Sequence, residues 1–152
     1  MMEGKREMLR HSLATLAYRS HRAVDDAPQG FGDFSVGEGV RTPHEIVAHM
    51  SDLMAYTLGV FDGSPALARD PYGEYEAEVT RFFALVSQLS TTLEHAPLES
   101  ERLPERLLQG PIADALTHVG QLALMKGLAG APIPAEDFSR ASIHVDDLSD
   151  LG

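Results

Sequence analysis

The chain contains no cysteine. That excludes disulfides, thiolate metal sites, iron–sulfur clusters and a cysteine nucleophile. Any transition metal must therefore be held by His, Asp or Glu. Basic residues are scarce: 12 Lys and Arg stand against 23 Asp and Glu, a formal net charge of -11. Nucleic-acid binding needs a basic footprint that displaces counterions, so no nucleic-acid partner is expected. The acidic balance also disfavours an anionic membrane surface. No segment approaches the roughly 18–20 apolar residues of a membrane span. The run MMEGKREMLRHSL has charges but no apolar stretch of signal-peptide length, so a cytoplasmic location is the default expectation. Neither a G-x-G-x-x-G nor a P-loop pattern occurs, which argues against a nucleotide cofactor. Ser12, Ser20 and Ser142 lack the context of a nucleophile elbow.

What is present is an ordinary globular composition, 43% hydrophobic and 23% charged over 152 residues. One domain with one core accommodates that length. Apolar periodicity predicts an all-α chain of four helices, at about residues 3–26, 42–62, 73–95 and 111–129. Leu9, Leu13, Leu16, Ala17 and Val24 form the stripe of the first helix, and the glycine-rich run 28–39 reads as a loop. Thr42, Pro43 and Glu45 supply an N-cap, a first-turn proline and a capping-box carboxylate for the second. Its stripe is Ile46, Met50, Leu53, Met54 and Phe61, and it ends at Gly63, Ser64 and Pro65. Asp70 and Pro71 precede the third helix, in which Tyr75, Val79, Phe82, Val86, Leu89 and Leu93 make a heptad-like seam. Phe82 and Phe83 read as core.

Residues 97–110 read as a connection with a short turn at Pro104–Leu108, and the last helix starts near Gly110-Pro111. Its stripe runs from Ile112 through Ala115, Leu116, Val119 and Leu122 to Ala123. Gly120 and Gly127 lie inside it, each costing about 1 kcal/mol relative to alanine. Close approach of a neighbouring helix is the expected compensation. Residues 133–152 form an acidic tail, packed over the bundle or partly disordered. The predicted fold is one four-helix bundle spanning residues 1–152.

Chemistry is concentrated in two helices. Asp114 and His118 are four residues apart, about 40° around the helix axis, so they share a face with Gln121 and Met125. His49 lies in the second helix. In an up-and-down bundle the second and last helices run parallel, which sets His49, Asp114 and His118 at similar depth. Two imidazoles and a carboxylate suit Zn, Ni, Fe or Mn and leave a coordination position open, a feature of catalytic sites. A water bound there would have a lowered pKa.

Other residues read as follows. His44 lies about 140° from His49 around the helix and reads as a surface residue. Glu45 serves the capping box or supports the site. Asp52 is placed to orient His49 or a substrate, and Gln121 to hydrogen-bond a ligand from behind. His11, His21, His95 and His144 have no partner at ligand spacing and read as solvated.

The runs RTPHEIVAHMSDL, residues 41–53, and DALTHVGQLALMKGLAGAPIP, residues 114–134, resemble the second and last helices of the DinB/YfiT-like superfamily. The resemblance implies a four-helix bundle with a divalent metal held by three histidines, one from the second helix and two from an H-x-x-x-H-x-G-Q-like run. His49 falls at the first ligand position, His118 at the third, and Gly120-Gln121 at the pair that follows. Asp114 stands where the group has its middle histidine. A carboxylate there shifts the preference towards harder metals, or marks a site that has decayed. The resemblance further implies a metal-dependent transferase or isomerase acting on a small molecule, with a low-molecular-weight thiol as cosubstrate whose sulfur the metal holds as thiolate. A metal-dependent hydrolase uses the same open position. A non-catalytic bundle with a vestigial site is the other alternative, and a homodimer is expected in either case.

Overall fold

The computed structural model describes residues 1–64, 72–98, 100, 102–146 and 148; Pro65, Asp70 and Pro71, read above as boundary signals, lie outside that set. Among the described residues the chain is all-helical, with no strand. The elements are α1 (Met2–Val24), α2 (Pro43–Asp62), α3 (Tyr75–His95), α4 (Leu103–Leu107) and α5 (Ala113–Leu128). Single 3₁₀ turns occur at Phe31–Asp33 and Phe138–Arg140.

The predicted stripes form the core. Leu13 and Leu16 of α1, Ile46, Met50 and Met54 of α2, Phe82, Leu89 and Leu93 of α3, and Ile112 and Leu122 at the last helix are all buried. Phe31 folds in from the loop after α1 and joins them. Thr42 caps α2: its Oγ1 accepts from the Glu45 backbone N–H at 3.3 Å while the Glu45 carboxylate reaches back to Thr42.

The last helix begins earlier than its sequence suggests. Pro111, read as a first-turn residue, lies inside a π-helical turn, Leu108–Ile112, that joins α4 to α5. Proline has no N–H and its ring clashes with the carbonyl four residues back. The wider π turn absorbs that defect. The true N-terminal signal is Pro104, in the first turn of α4. At the other end, Ala131 N–H bonds to the Lys126 carbonyl and Gly130 N–H to that of Gly127, with Gly130 at φ +94°. This is a Schellman ending that only glycine adopts without strain.

Helix directions differ from the up-and-down expectation. His44 meets Gly73, Ser51 meets Glu78, and Asp52 meets Arg81, so α2 and α3 run in the same direction. Arg6 meets Leu93 while His21 stacks on Phe83, so α1 opposes α3. Lys5 meets Glu105 and Lys126 meets Arg22, so α1 runs with the last helix. The second and last helices are therefore antiparallel, not parallel. Consecutive parallel helices need a connection that returns along the bundle.

Two further expectations are corrected. No neighbouring helix approaches Gly120 or Gly127: a Cβ at Gly120 would meet nothing within 4 Å, and one at Gly127 only Pro132 at 3.9 Å. Nor is His21 a solvated residue, since its ring stacks on Phe83 at 3.8 Å and its Nδ1 lies 3.1 Å from Asp25. The acidic tail folds back on α1. Tyr18 donates to Glu136 at 2.5 Å, Arg22 pairs with the same carboxylate at 2.9 Å, and the Arg19 guanidinium sits over the Phe138 ring.

Candidate metal centre

The antiparallel packing of α2 against α5 brings His49, Asp114 and His118 together. His49 lies on the second turn of α2, and Asp114 and His118 lie on adjacent turns of α5. Asp114 is the second residue of α5, which continues from the π turn ending at Ile112.

Asp114 bridges the two histidines. Its Oδ2 lies 3.4 Å from His49 Nε2 and its Oδ1 lies 3.4 Å from His118 Nε2. One donor atom from each of the three residues falls within 4.8 Å of the others. The imidazole rings stand edge to face at 4.9 Å between centroids. Two ligands each about 2.1 Å from a tetrahedral zinc are about 3.4 Å apart, which is the spacing from Asp114 to each histidine. Among the described residues this is the one His/Asp/Glu group of three with that proximity.

The surroundings favour a cation. His118 is buried, and Gln121 Oε1 lies 2.8 Å from its Nδ1. With the amide oxygen facing the ring, the tautomer that donates from Nδ1 to Gln121 is the one that keeps its lone pair on Nε2. That lone pair faces the anionic Asp114 oxygen, an arrangement that a cation in the gap converts from repulsion to ligation. The pKa of His49 is lowered, first by burial and further by the nearby positive charge of Arg41 and by His118, against an opposing hydrogen bond that the ring donates to Asp114. A neutral imidazole with a free lone pair is the ligating form. The Asp114 side chain is 46% exposed against 9% for His118, so the group is open on the carboxylate side.

The remaining sequence candidates divide. Gln121 stands behind His118 as expected. Glu45 is exposed and occupied with the Thr42 cap. Asp52 is buried and accepts from Arg81 Nη1 at 3.0 Å, which ties it to α3. Arg81 also lies 3.6 Å from buried Glu78, so Asp52 belongs to a charge cluster between α2 and α3. His44 is half-buried rather than a surface residue. Its Nε2–H donates to the Gly73 carbonyl at 2.7 Å and its ring meets the edge of Tyr75.

One feature escaped the sequence reading. A cavity of about 350 Å³ reaches the triad at His118, walled by His118 and Gln121 on one side and by Val36, Gly39, Val40 and Arg41 of the loop before α2 on the other. Leu124 and Leu128 complete it from α5, four residues apart and both exposed. Two exposed leucines on the Gln121 side of the helix were the available signal.

No family model matches the chain, and no curated protein or solved structure matches it either. No helix among the described residues is long and apolar enough to cross a membrane.

Proposed function

We propose that this protein binds one divalent metal ion through His49, Asp114 and His118 and is a DinB/YfiT-like enzyme that uses the ion to activate a small molecule. The observation that carries the reading is the convergence of three donor atoms from two helices, with Asp114 at ligand spacing from both histidines. The resemblance of residues 41–53 and 114–134 to the DinB/YfiT-like helices supports the same assignment.

When bound, a divalent ion supplies Lewis-acid activation at its open position. The chain's own residues do the rest. Gln121 fixes the His118 tautomer so that Nε2 faces the ion position. Burial and the Arg41 charge keep His49 neutral and ready to ligate. Asp114 supplies the negative charge that partly balances the cation, and its exposed side leaves room for a reactant.

The reaction class that fits best is transfer or isomerisation with a low-molecular-weight thiol as cosubstrate. A chain without cysteine has no thiol of its own to offer. Turnover of small electrophiles, assayed with and without added thiol after loading with Zn, Ni, Fe or Mn, tests this. Thiol-dependent turnover that disappears in His49→Ala supports the transferase reading. Thiol-independent ester or amide hydrolysis would replace it with a hydrolase, and inactivity with every thiol and electrophile in the metal-loaded protein would overturn it.

A further inference from the structure

The cavity beside His118 differs from the rest of the surface. Val36, Val40, Leu124 and Leu128 are four of the eight large hydrophobic side chains exposed among the described residues, and all four line it. Solvent-exposed apolar side chains scattered singly need no explanation, but a cluster around one concavity does. The floor is Ile46 and Met125, both buried. The volume, about 350 Å³, lies in the range of small-molecule sites, as does an apolar lining with few polar groups.

The polar groups are informative. Arg41 is exposed on the cavity wall and forms no ion pair with a described carboxylate. In a chain of net charge -11, a guanidinium in an apolar rim with no ion-pair partner among the described residues is a recognition feature for an anion. The other polar wall is His118 with Gln121, so a molecule in the cavity lies against the triad.

We propose that this cavity is the substrate pocket and that it selects a small amphipathic anion, with an apolar body among Val36, Val40, Leu124 and Leu128 and an anionic group at Arg41. A concave, cation-marked pocket fits such a molecule better than it fits a second copy of an acidic chain. The catalytic meaning of the pocket rests on the metal-enzyme reading; the binding preference does not.

Calorimetric titration with octanoate, octanol and octylamine tests it, using full-length protein held metal-free by chelator so that no ion contributes. Octanoate should bind at least tenfold more tightly than octanol, and octylamine more weakly than either. Arg41→Gln should remove the octanoate advantage and leave octanol unchanged. Leu124→Glu should abolish binding of all three; both substituted residues are exposed, so the fold is retained. Equal affinity for the three probes, or an octanoate affinity unmoved by Arg41→Gln, would overturn the proposal. So would sedimentation showing a dimer that Leu124→Glu dissociates, because a second copy would then occupy the face. Metal titration without any probe reads the triad separately: octanoate selectivity in a protein that takes up no metal would leave the pocket standing and remove the enzyme reading.

Discussion

The amide oxygen of Gln121 lies 2.8 Å from His118 Nδ1, while His118 Nε2, on the other side of the ring, lies 3.4 Å from Asp114. Hydrogen bonds of this kind to a metal-ligating histidine typically change affinity by about 10–100-fold when removed. Gln121→Ala should therefore weaken metal binding by about that factor, measured by competition with a chromophoric chelator. Gln121 is exposed, so the melting temperature of the metal-free protein should barely move. An unchanged metal affinity would show that Gln121 does not support the ligand.

The His49 pKa is lowered, chiefly by burial, so His49 should titrate below the ordinary value of about 6.5. NMR titration of the metal-free protein reads this directly. Because the folded pKa lies below the unfolded one, the unfolded chain takes up the proton first as pH falls. The His49 contribution is thus neutral to stability above about pH 6.5 and destabilising below it. Denaturant unfolding at pH 7.5 and 5.5 should show a smaller acid-induced loss in His49→Gln than in the wild type.

Gly120 sits mid-helix with open space where a Cβ would be. Gly120→Ala should raise stability by up to about 1 kcal/mol, the helix-propensity difference, as read by denaturant unfolding. A loss of stability would mean that the helix needs glycine there for a reason other than packing.

Asp52 and Glu78 are both buried beside Arg81, at 3.0 and 3.6 Å. Removing the Arg81 guanidinium takes a positive charge away from two buried carboxylates. Arg81→Leu should cost about 3–5 kcal/mol, the usual result of breaking a buried pair from one side. Thermal unfolding checks it, and a change below about 1 kcal/mol would show that the two carboxylates do not depend on Arg81.

Much of the fold was legible because each helix carries its own periodic stripe and its own stop. Thr42, Pro43 and Glu45 encode a start that needs no tertiary information, and Gly130 encodes a stop. Pro111 misled for a local reason: a proline fits a first turn or a π turn equally well in one dimension, and only the packing of residues 103–110 distinguishes them. Helix direction was not legible, because α2 followed by α3 has no local signal that separates a hairpin from a returning connection. The triad was found from the four-residue spacing of Asp114 and His118 together with a depth argument that assumed parallel helices. The helices are antiparallel, and the same residues still meet, in a last helical run that begins at Leu103 rather than at Gly110-Pro111. Asp52 was misassigned because its spacing from His49 is correct for a shared face, while its ion pair is made by Arg81, 29 residues later. Arg41 and the cavity depend on how the 36–41 loop folds over α5, which has no periodic signature.

The central claim is that His49, Asp114 and His118 form one metal site, and metal uptake tests it most directly. Untagged protein, stripped with chelator and dialysed against Zn, Ni, Fe or Mn, should retain about one ion per chain by elemental analysis. His49→Ala and His118→Ala should each lose that ion while keeping the helical circular dichroism of the wild type. Failure of the wild-type protein to retain any of the four metals, or undiminished retention in both variants, would contradict the account.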